Sequence, residues 1–319
     1  MNVDQKAALL EKIRTEISNR YVFPEVGDHV SRELEQLWLR GIFSNDHDAN
    51  QFAEHVTSEL RRLSDDSHIR VRYSEEAHVQ PAENDVVREQ NDRKKHCEQL
   101  AFGIQRVERL PQNIGYIDIR EFVELSLAAP TVSAALTLVA NADALIIDLR
   151  KCVGGDPTTV AWLASYLFDR RTQLSTFVLR DESKSEQFWT SEWVPGQRFG
   201  GENPVYVLTS NFTFSGAEQL AYDLQACGRA TVVGEVTGGG AHACNLYWLD
   251  SHFNLLMPEC RPVNPITGTN WENIGVKPDV LTTEEGALRE AQRLASAHFA
   301  HLPLAAYDSK HDDANEKPA

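Results

Sequence analysis

Ser215 is the residue whose setting most invites chemistry. Val205–Leu208 before it is a short apolar run, half of it β-branched, and reads as a buried strand. After it, Ala217, Leu220, Ala221 and Leu224 recur at i, i+3, i+4 and i+7, the stripe of an amphipathic helix that Gly228 can close. A serine at that joint lies beside unpaired N–H groups and the positive end of a helix dipole, where a developing oxyanion is stabilised. The same residue has a plain structural reading. Ser215 and Glu218 form S-x-x-E, a capping box, which needs no catalysis. Thr213 stands where G-x-S-x-G requires its first glycine, so an α/β-hydrolase elbow is not indicated.

A nucleophilic serine needs a general base and a group that orients the base. Eleven histidines are present, so composition cannot choose among them. No lysine lies between Lys184 and Lys277, which excludes a lysine base shortly downstream. His68 opens Ile69-Arg70-Val71-Arg72-Tyr73, the alternation of a strand with one wet face, and by itself reads as a solvated histidine at a strand start. Two glycine turns, Val153-Gly154-Gly155-Asp156 and Thr237-Gly238-Gly239-Gly240, match neither a P-loop nor a dinucleotide fingerprint. They share a position after strands, on the sheet edge where parallel α/β folds bind ligands, and glycine there lets an N–H turn toward a substrate carbonyl. His242, Cys244, His252 and Cys260 are spaced by 2, 8 and 8 residues, which fits no compact zinc pattern. Neither a metal nor a cofactor is expected.

The elements around these residues change grammar along the chain. Apolar stripes predict helices over 3–20, through Val30–Trp38, and through Phe52–Leu63 with Asn50 as a cap. Residues 1–80 therefore read as an N-terminal helical domain ending in the strand that carries Ser67 and His68. Residues 81–104, dense in charge, read as a linker or exposed excursion. From about 105 to 305, apolar strands at Ile114–Ile119, Ala144–Leu149, Val205–Leu208 and Ala230–Glu235 alternate with helices. That order predicts an α/β domain with a mainly parallel sheet and right-handed crossovers. Leu246–Trp248 and Phe253–Met257 read as a hairpin, and residues 306–319 as a disordered tail.

The formal charge, 31 − 47 = −16, argues against nucleic acid and anionic membranes as partners, because such a surface cannot neutralise phosphate. No apolar run reaches the length of a membrane span. The charged stretch from Met1 to Ile17 lacks the apolar core of a signal peptide, and the five cysteines are scattered without C-x-x-C. A cytoplasmic location is the expectation, and self-association into a homo-oligomer stays open.

Five pieces in order carry a family resemblance: Asn113-Ile-Gly-Tyr-Ile-Asp118; Leu145-Ile-Ile-Asp-Leu-Arg150 with Gly154-Gly155; Val207-Leu-Thr-Ser-x-x-Thr-x-Ser215-x-Ala217-Glu218; Val233-Gly-Glu-x-Thr237; and Trp271-Glu-Asn-x-Gly-Val-x-Pro-Asp279. Across about residues 50–285 the chain resembles the tail-specific proteases, the S41 serine peptidases. The resemblance implies a crotonase/ClpP-like α/β core. The carboxyl-terminal processing members carry a lysine in a G-E-x-T-x-G-K-G turn; here Gly240 stands at that position, and no segment reads as a PDZ domain. The chain instead resembles the branch of the tricorn core and the interphotoreceptor retinoid-binding protein. By that match Ser215 is the nucleophile, His68 the base, Glu272 the acid and Ser67 an assistant on the acidic side. The oxyanion donors are Gly216 and the Gly154–Gly155 turn. The implied activity is cleavage of a peptide or protein substrate through an acyl-enzyme. Two alternatives share the scaffold: a non-catalytic module for apolar ligands, and a peptide-tailoring acyltransferase.

Overall fold

The structure, a computed structural model, describes residues 1–78 and 83–300. Helices α1 (Val3–Arg20), α2 (Pro24–Leu39) and α3 (Ala49–Ser64) open the chain. Asn2 caps α1 and Pro24 starts α2, while α3 is capped by Asp48, whose carboxylate accepts the Gln51 N–H at 2.8 Å. Asn50, the expected cap, lies inside that helix, because Asp48 is the residue placed to reach the first free N–H groups. Asp65 ends α3 in the left-handed region at φ 53°, a conformation aspartate tolerates better than most residues. That turn sends Asp66, Ser67 and His68 inward ahead of β1 (Arg70–Tyr73).

The charged stretch expected as a linker or exposed excursion contains helix α4 (Glu83–Gln99). Its Lys, Arg, Glu and Gln residues are good helix formers, and pairs such as Lys94–Glu98 link successive turns. From 90 to 99 only Cys97 is buried, so the helix is nonetheless a solvated excursion. The expected tail from 306, and residues 81 and 82, lie outside the described residues.

The α/β part follows as β2 (Ile104–Leu110), β3 (Ile114–Ile119), α5 (Leu125–Val139), β4 (Ala144–Asp148), α6 (Pro157–Ala164), β5 (Gln173–Leu179), β6 (Ser185–Trp189), β7 (Val205–Thr209), α7 (Gly216–Ala226), β8 (Thr231–Gly234), β9 (Ala243–Trp248), β10 (Phe253–Val263), β11 (Val280–Leu281) and α8 (Glu284–Ala300). One six-stranded sheet runs β11-β8-β7-β4-β3-β2, parallel except for β2. Strands β3, β4 and β7 are buried at every residue, as apolar strands covered on both faces must be. One face packs on α5, α6 and α7; the other receives Ala287, Ala291 and Ala295 of α8.

The second sheet is antiparallel, with β9 on β10 as the expected hairpin, and β1 and β5 also on β10, followed by β6. Strands β5 and β6 were not anticipated from the sequence. Leu249, Phe253, Leu255 and Met257 share one apolar cluster with Leu9, Ile13, Val30 and Leu60, so the N-terminal helices rest directly on β10. Among the described residues, no helix is long and apolar enough to cross a membrane.

The outer edge of β1 is closed by one side chain. Thr57 Oγ accepts the Val71 N–H at 2.9 Å and donates to the Val71 carbonyl at 3.0 Å, both in a buried setting. Thr57→Val keeps the shape but leaves both backbone groups unpaired, at a cost of about 1–3 kcal/mol. The expected result is a lower urea midpoint with an unchanged denaturant slope; an unchanged midpoint contradicts this account of the edge.

Candidate active site

Loops leaving the C-terminal ends of β3, β4, β7 and β8 are bonded to one another. The Phe122 N–H donates to Gly154 O at 2.7 Å, Phe214 N–H to Cys152 O at 3.2 Å, and Gly238 N–H to Thr213 O at 3.0 Å. Ser215 stands in this knot at φ 55° and ψ −123°, a region a non-glycine residue occupies only when its surroundings force it. The strand-to-helix turn is therefore a strained elbow, although the G-x-S-x-G pattern is absent. Gly154 and Gly216 make it fit. A Cβ on Gly154 would lie 2.6 Å from Gly216 N, and one on Gly216 would lie 2.7 Å from Gly155 O. The N–H groups of Gly155 and Gly216 donate no hydrogen bond among the described residues, which leaves both free for a substrate oxygen.

Ser215 Oγ lies 3.2 Å from His68 Nε2, at hydrogen-bonding distance across 147 residues of chain. The hydroxyl is thus close to the imidazole while Ser215 and Glu218 also form the capping box. His68 is 9% exposed, and its ring packs on Phe214 with centroids 4.7 Å apart. Gly240 fills the remaining side of the ring: a Cβ there would be 2.2 Å from Phe214 Cζ and 2.6 Å from His68 Cε1.

Glu218 is buried and does more than cap. Its carboxylate accepts from the N–H groups of Ser215 (2.8 Å), Gly239 (2.7 Å) and Gly240 (2.9 Å), and from Thr237 Oγ. Burial pushes its pKa up to about 7 against the pull of those four donors.

Behind His68 lies a cluster that the sequence reading did not single out. Asp66, 1% exposed, accepts the His68 backbone N–H at 2.9 Å, Tyr21 OH at 3.0 Å and His242 Nδ1 at 2.7 Å. Its Oδ1 is 4.0 Å from His68 Nδ1, so Asp66 is an acid beside the imidazole. Glu272 accepts from the N–H groups of Ala241 and His242, with its Oε2 3.8 Å from His242 Nδ1. No hydrogen bond joins Glu272 to His68 directly. Ser67 Oγ, His68 Nδ1 and Glu272 Oε1 are all buried without a hydrogen-bond partner. One signal for Asp66 is present in the sequence: two consecutive aspartates before Ser67-His68, easily taken for an ordinary helix end. For His242 there is no local signal.

Burial lowers the His68 pKa to about 4, with the Asp66 charge opposing the shift. Burial acts against the charged form of both His242 and Asp66, yet their mutual hydrogen bond holds His242 above and Asp66 below their ordinary values. Burial raises Glu272. Asp66, His68 and Glu272 offer atoms within 4.8 Å of one another, as a metal would need. Both Asp66 oxygens already serve N–H or O–H donors, however, and His68 Nε2 faces Ser215. That donor set suits proton traffic better than a cation. Nor do the four residues weighed for zinc gather: His242 pairs with Asp66, Cys244 Sγ donates to His242 O, and His252 Nδ1 lies against Ser74 O.

A strained serine on a strand-to-helix elbow, a histidine at its hydroxyl and two free N–H groups beside it form an arrangement that can perform serine-type hydrolysis. Residues 113–282 match the model of peptidase family S41, and residues 4–109 match the N-terminal domain of that family in eukaryotic IRBP. The chain belongs to peptidase family S41 and is a serine-type peptidase. Its fold is similar to that of a lipoprotein from Streptococcus agalactiae (TM-score 0.59, 14% identity, covering 92% of this chain and 96% of that one). It is also similar to the photosystem II D1 C-terminal processing protease (TM-score 0.54, 14% identity, 89% and 94%). The tricorn protease matches with a TM-score of 0.56 at 13% identity, over 92% of this chain and 36% of the tricorn chain.

The His68 shift has a consequence for stability. Folded His68 stays neutral down to about pH 4, whereas the unfolded side chain binds its proton near 6.5. Its contribution is fully present above pH 6.5 and is lost as pH falls toward 4. His68→Gln should remove that part of the acid dependence, on the order of 1–3 kcal/mol of difference between the two proteins across this window. Parallel stability–pH curves for wild type and variant contradict it.

Proposed function

We propose that this peptidase works through an acyl-enzyme, with Ser215 as nucleophile and His68 as general base. The observation that carries the reading is the 3.2 Å approach of His68 Nε2 to a serine held at φ 55°. His68 Nε2 takes the Ser215 hydroxyl proton as Oγ bonds to the substrate carbonyl carbon. The tetrahedral oxygen receives the N–H groups of Gly216 and Gly155. Collapse breaks the C–N bond, and His68 returns its proton to the leaving amine. Water then attacks the ester by the same route, releasing the acid and restoring Ser215. The substrate is a peptide or protein. Val153, Phe212, Val236 and Ile274, exposed on the loops that carry the site, suit the apolar side chains of an extended chain.

The acidic side is shared in this reading. Asp66, ionised and 4.0 Å from Nδ1, stabilises the imidazolium that forms, and His242 and Tyr21 hold Asp66 in place. Ser67 and Glu272 assist on the same acidic side; Ser67 Oγ, His68 Nδ1 and Glu272 Oε1 each remain buried without a hydrogen-bond partner. The two matched family regions meet between residues 109 and 113, and the base and nucleophile come from opposite sides of that junction. We therefore place an N-terminal unit supplying Ser67 and His68 against a catalytic unit supplying Ser215, Gly216, Gly154, Gly155 and Glu272.

A fluorophosphonate probe should label the wild-type chain and fail on Ser215→Ala. His68→Ala should lose about 10²–10⁴-fold in kcat/KM with its fold retained. Because His68 is neutral above about pH 4, the acid limb of kcat/KM should fall well below the ordinary histidine value. Full activity in His68→Ala, or a limb at 6.5, counts against this base.

Asp66 and Glu272 can be ranked by separate variants. Asp66→Asn removes the anion nearest His68, so the acid limb moves to still lower pH and kcat drops by about tenfold or more. Glu272→Gln and Ser67→Ala should lower kcat with a smaller movement of the limb. If Asp66→Asn matches wild type while Glu272→Gln is inactive, the imidazolium is stabilised through Glu272 alone.

A further inference from the structure

A groove of about 570 Å³ runs between α3 and β1, lined among others by Arg61, Arg70, Arg72, Glu54 and Thr57. It is joined to the site through β1. Arg70 is two residues from His68, at most about 7 Å along the chain, and Arg72 at most about 14 Å. Arg61 lies close enough to act on the His68 charge. His68, Arg70 and Arg72 alternate along the chain, while Ile69 and Val71 turn into the apolar core.

The charge here runs against the rest of the molecule, whose net charge is −16. Arg70 and Arg72 are exposed, and neither has an ion pair or a side-chain hydrogen bond among the described residues. Elsewhere several exposed arginines are paired with acids, as in Arg62–Glu59, Arg93–Glu124 and Arg293–Glu290. Arg61 spends its Nε on Ile69 O, and its pKa is lowered by burial and then by the nearby Arg70 and Arg72. Glu54 is the one acid in the lining, set against three guanidinium groups. Three like charges kept together without matching acids repel one another, and an incoming anion relieves that repulsion.

Backbone pairing is not what the groove offers. Thr57 occupies both the N–H and the carbonyl of Val71, so an added strand finds that part of the β1 edge closed. What remains open is the row of guanidinium groups, whose planar forks fit carboxylates.

We propose that this groove is a carboxylate-binding subsite for the peptide substrate, a reading that rests on the assignment of His68 and Ser215 above. An extended chain advances about 3.3 Å per residue. Arg70 and Arg72 thus meet carboxylates roughly two and four residues from the bond cleaved. The carboxylate is supplied either by acidic side chains or by the substrate's own C-terminus.

Ser215→Ala protein, which can hold peptide without turnover, tests this by fluorescence anisotropy with rhodamine-labelled decapeptides. An alternating Glu-Ala peptide and its Gln-Ala counterpart are each made as the free acid and as the amide. The Glu peptide, or the free acid of either, should bind about 3–10-fold more tightly than the Gln amide, and less so at high salt. Adding Arg70→Gln and Arg72→Gln, both exposed positions, should abolish that difference with an unchanged thermal midpoint. A preference for Glu assigns the groove to side chains; a preference for the free acid assigns it to the C-terminus. Equal binding of all four peptides overturns the proposal, as does a preference that survives both substitutions. Whether the wild-type chain turns over any peptide bears on the Ser215 reaction alone, and the anisotropy series decides the groove in either case.

Discussion

The buried Glu218 carboxylate is the contact on which the site depends. Its four donors come from the elbow and from the Thr237–Gly240 turn, so one side chain joins the loop after β7 to the loop after β8. Through Gly240 it also sets the wall against which His68 packs. Trp271 Nε1 donates to Gly240 O at 2.8 Å, which brings the Glu272 segment onto the same turn. A carboxylate in this setting is expensive to desolvate, and the four donors are what offset that cost.

A side chain at 240 is excluded by Phe214 and His68, and the imidazole that lies against Ser215 comes from the N-terminal part of the chain, on the turn that follows α3. That arrangement requires the N-terminal helices to be held firmly against the α/β part. The shared apolar cluster with β10, the β1–β10 pairing and the bonds from Asn273 Nδ2 to Asp65 all serve that purpose. Catalytic geometry here is a property of the packing between segments, since a shift of either part of about 1 Å is enough to spoil it.

The electrostatics follow from the same packing. His68 is neutral because it is buried, and Asp66 is held below its ordinary value by three donors that converge on it, one of them a histidine whose pKa the pairing raises. Asp66, His242 and Glu272 each act on the charge of the others.

Much of this was legible in the sequence. The apolar strands, the helical stripe after Ser215 and the glycine turns are signals of two to ten residues, set by backbone sterics and local periodicity. They led directly to the α/β order, to Ser215 and to the Gly154–Gly155 turn. Ordered motif matches extended that to Ser67, His68 and Glu272. Other features were missed, or read only in part, because their cause is not local. The stretch before residue 100 has a linker's charge density, yet its residues are good helix formers. Glu218 reads as half of a capping box, and only the folded chain supplies its other donors. Asp66 reads as a helix-end acid, and His242 as one of eleven histidines. Their meeting spans 176 residues and exists only after β9 has docked beside the turn that follows α3. By itself the sequence determined which residues are chemically competent. The tertiary structure decided which of them touch, because burial and long-range packing create the distances and pKa shifts that make them work together.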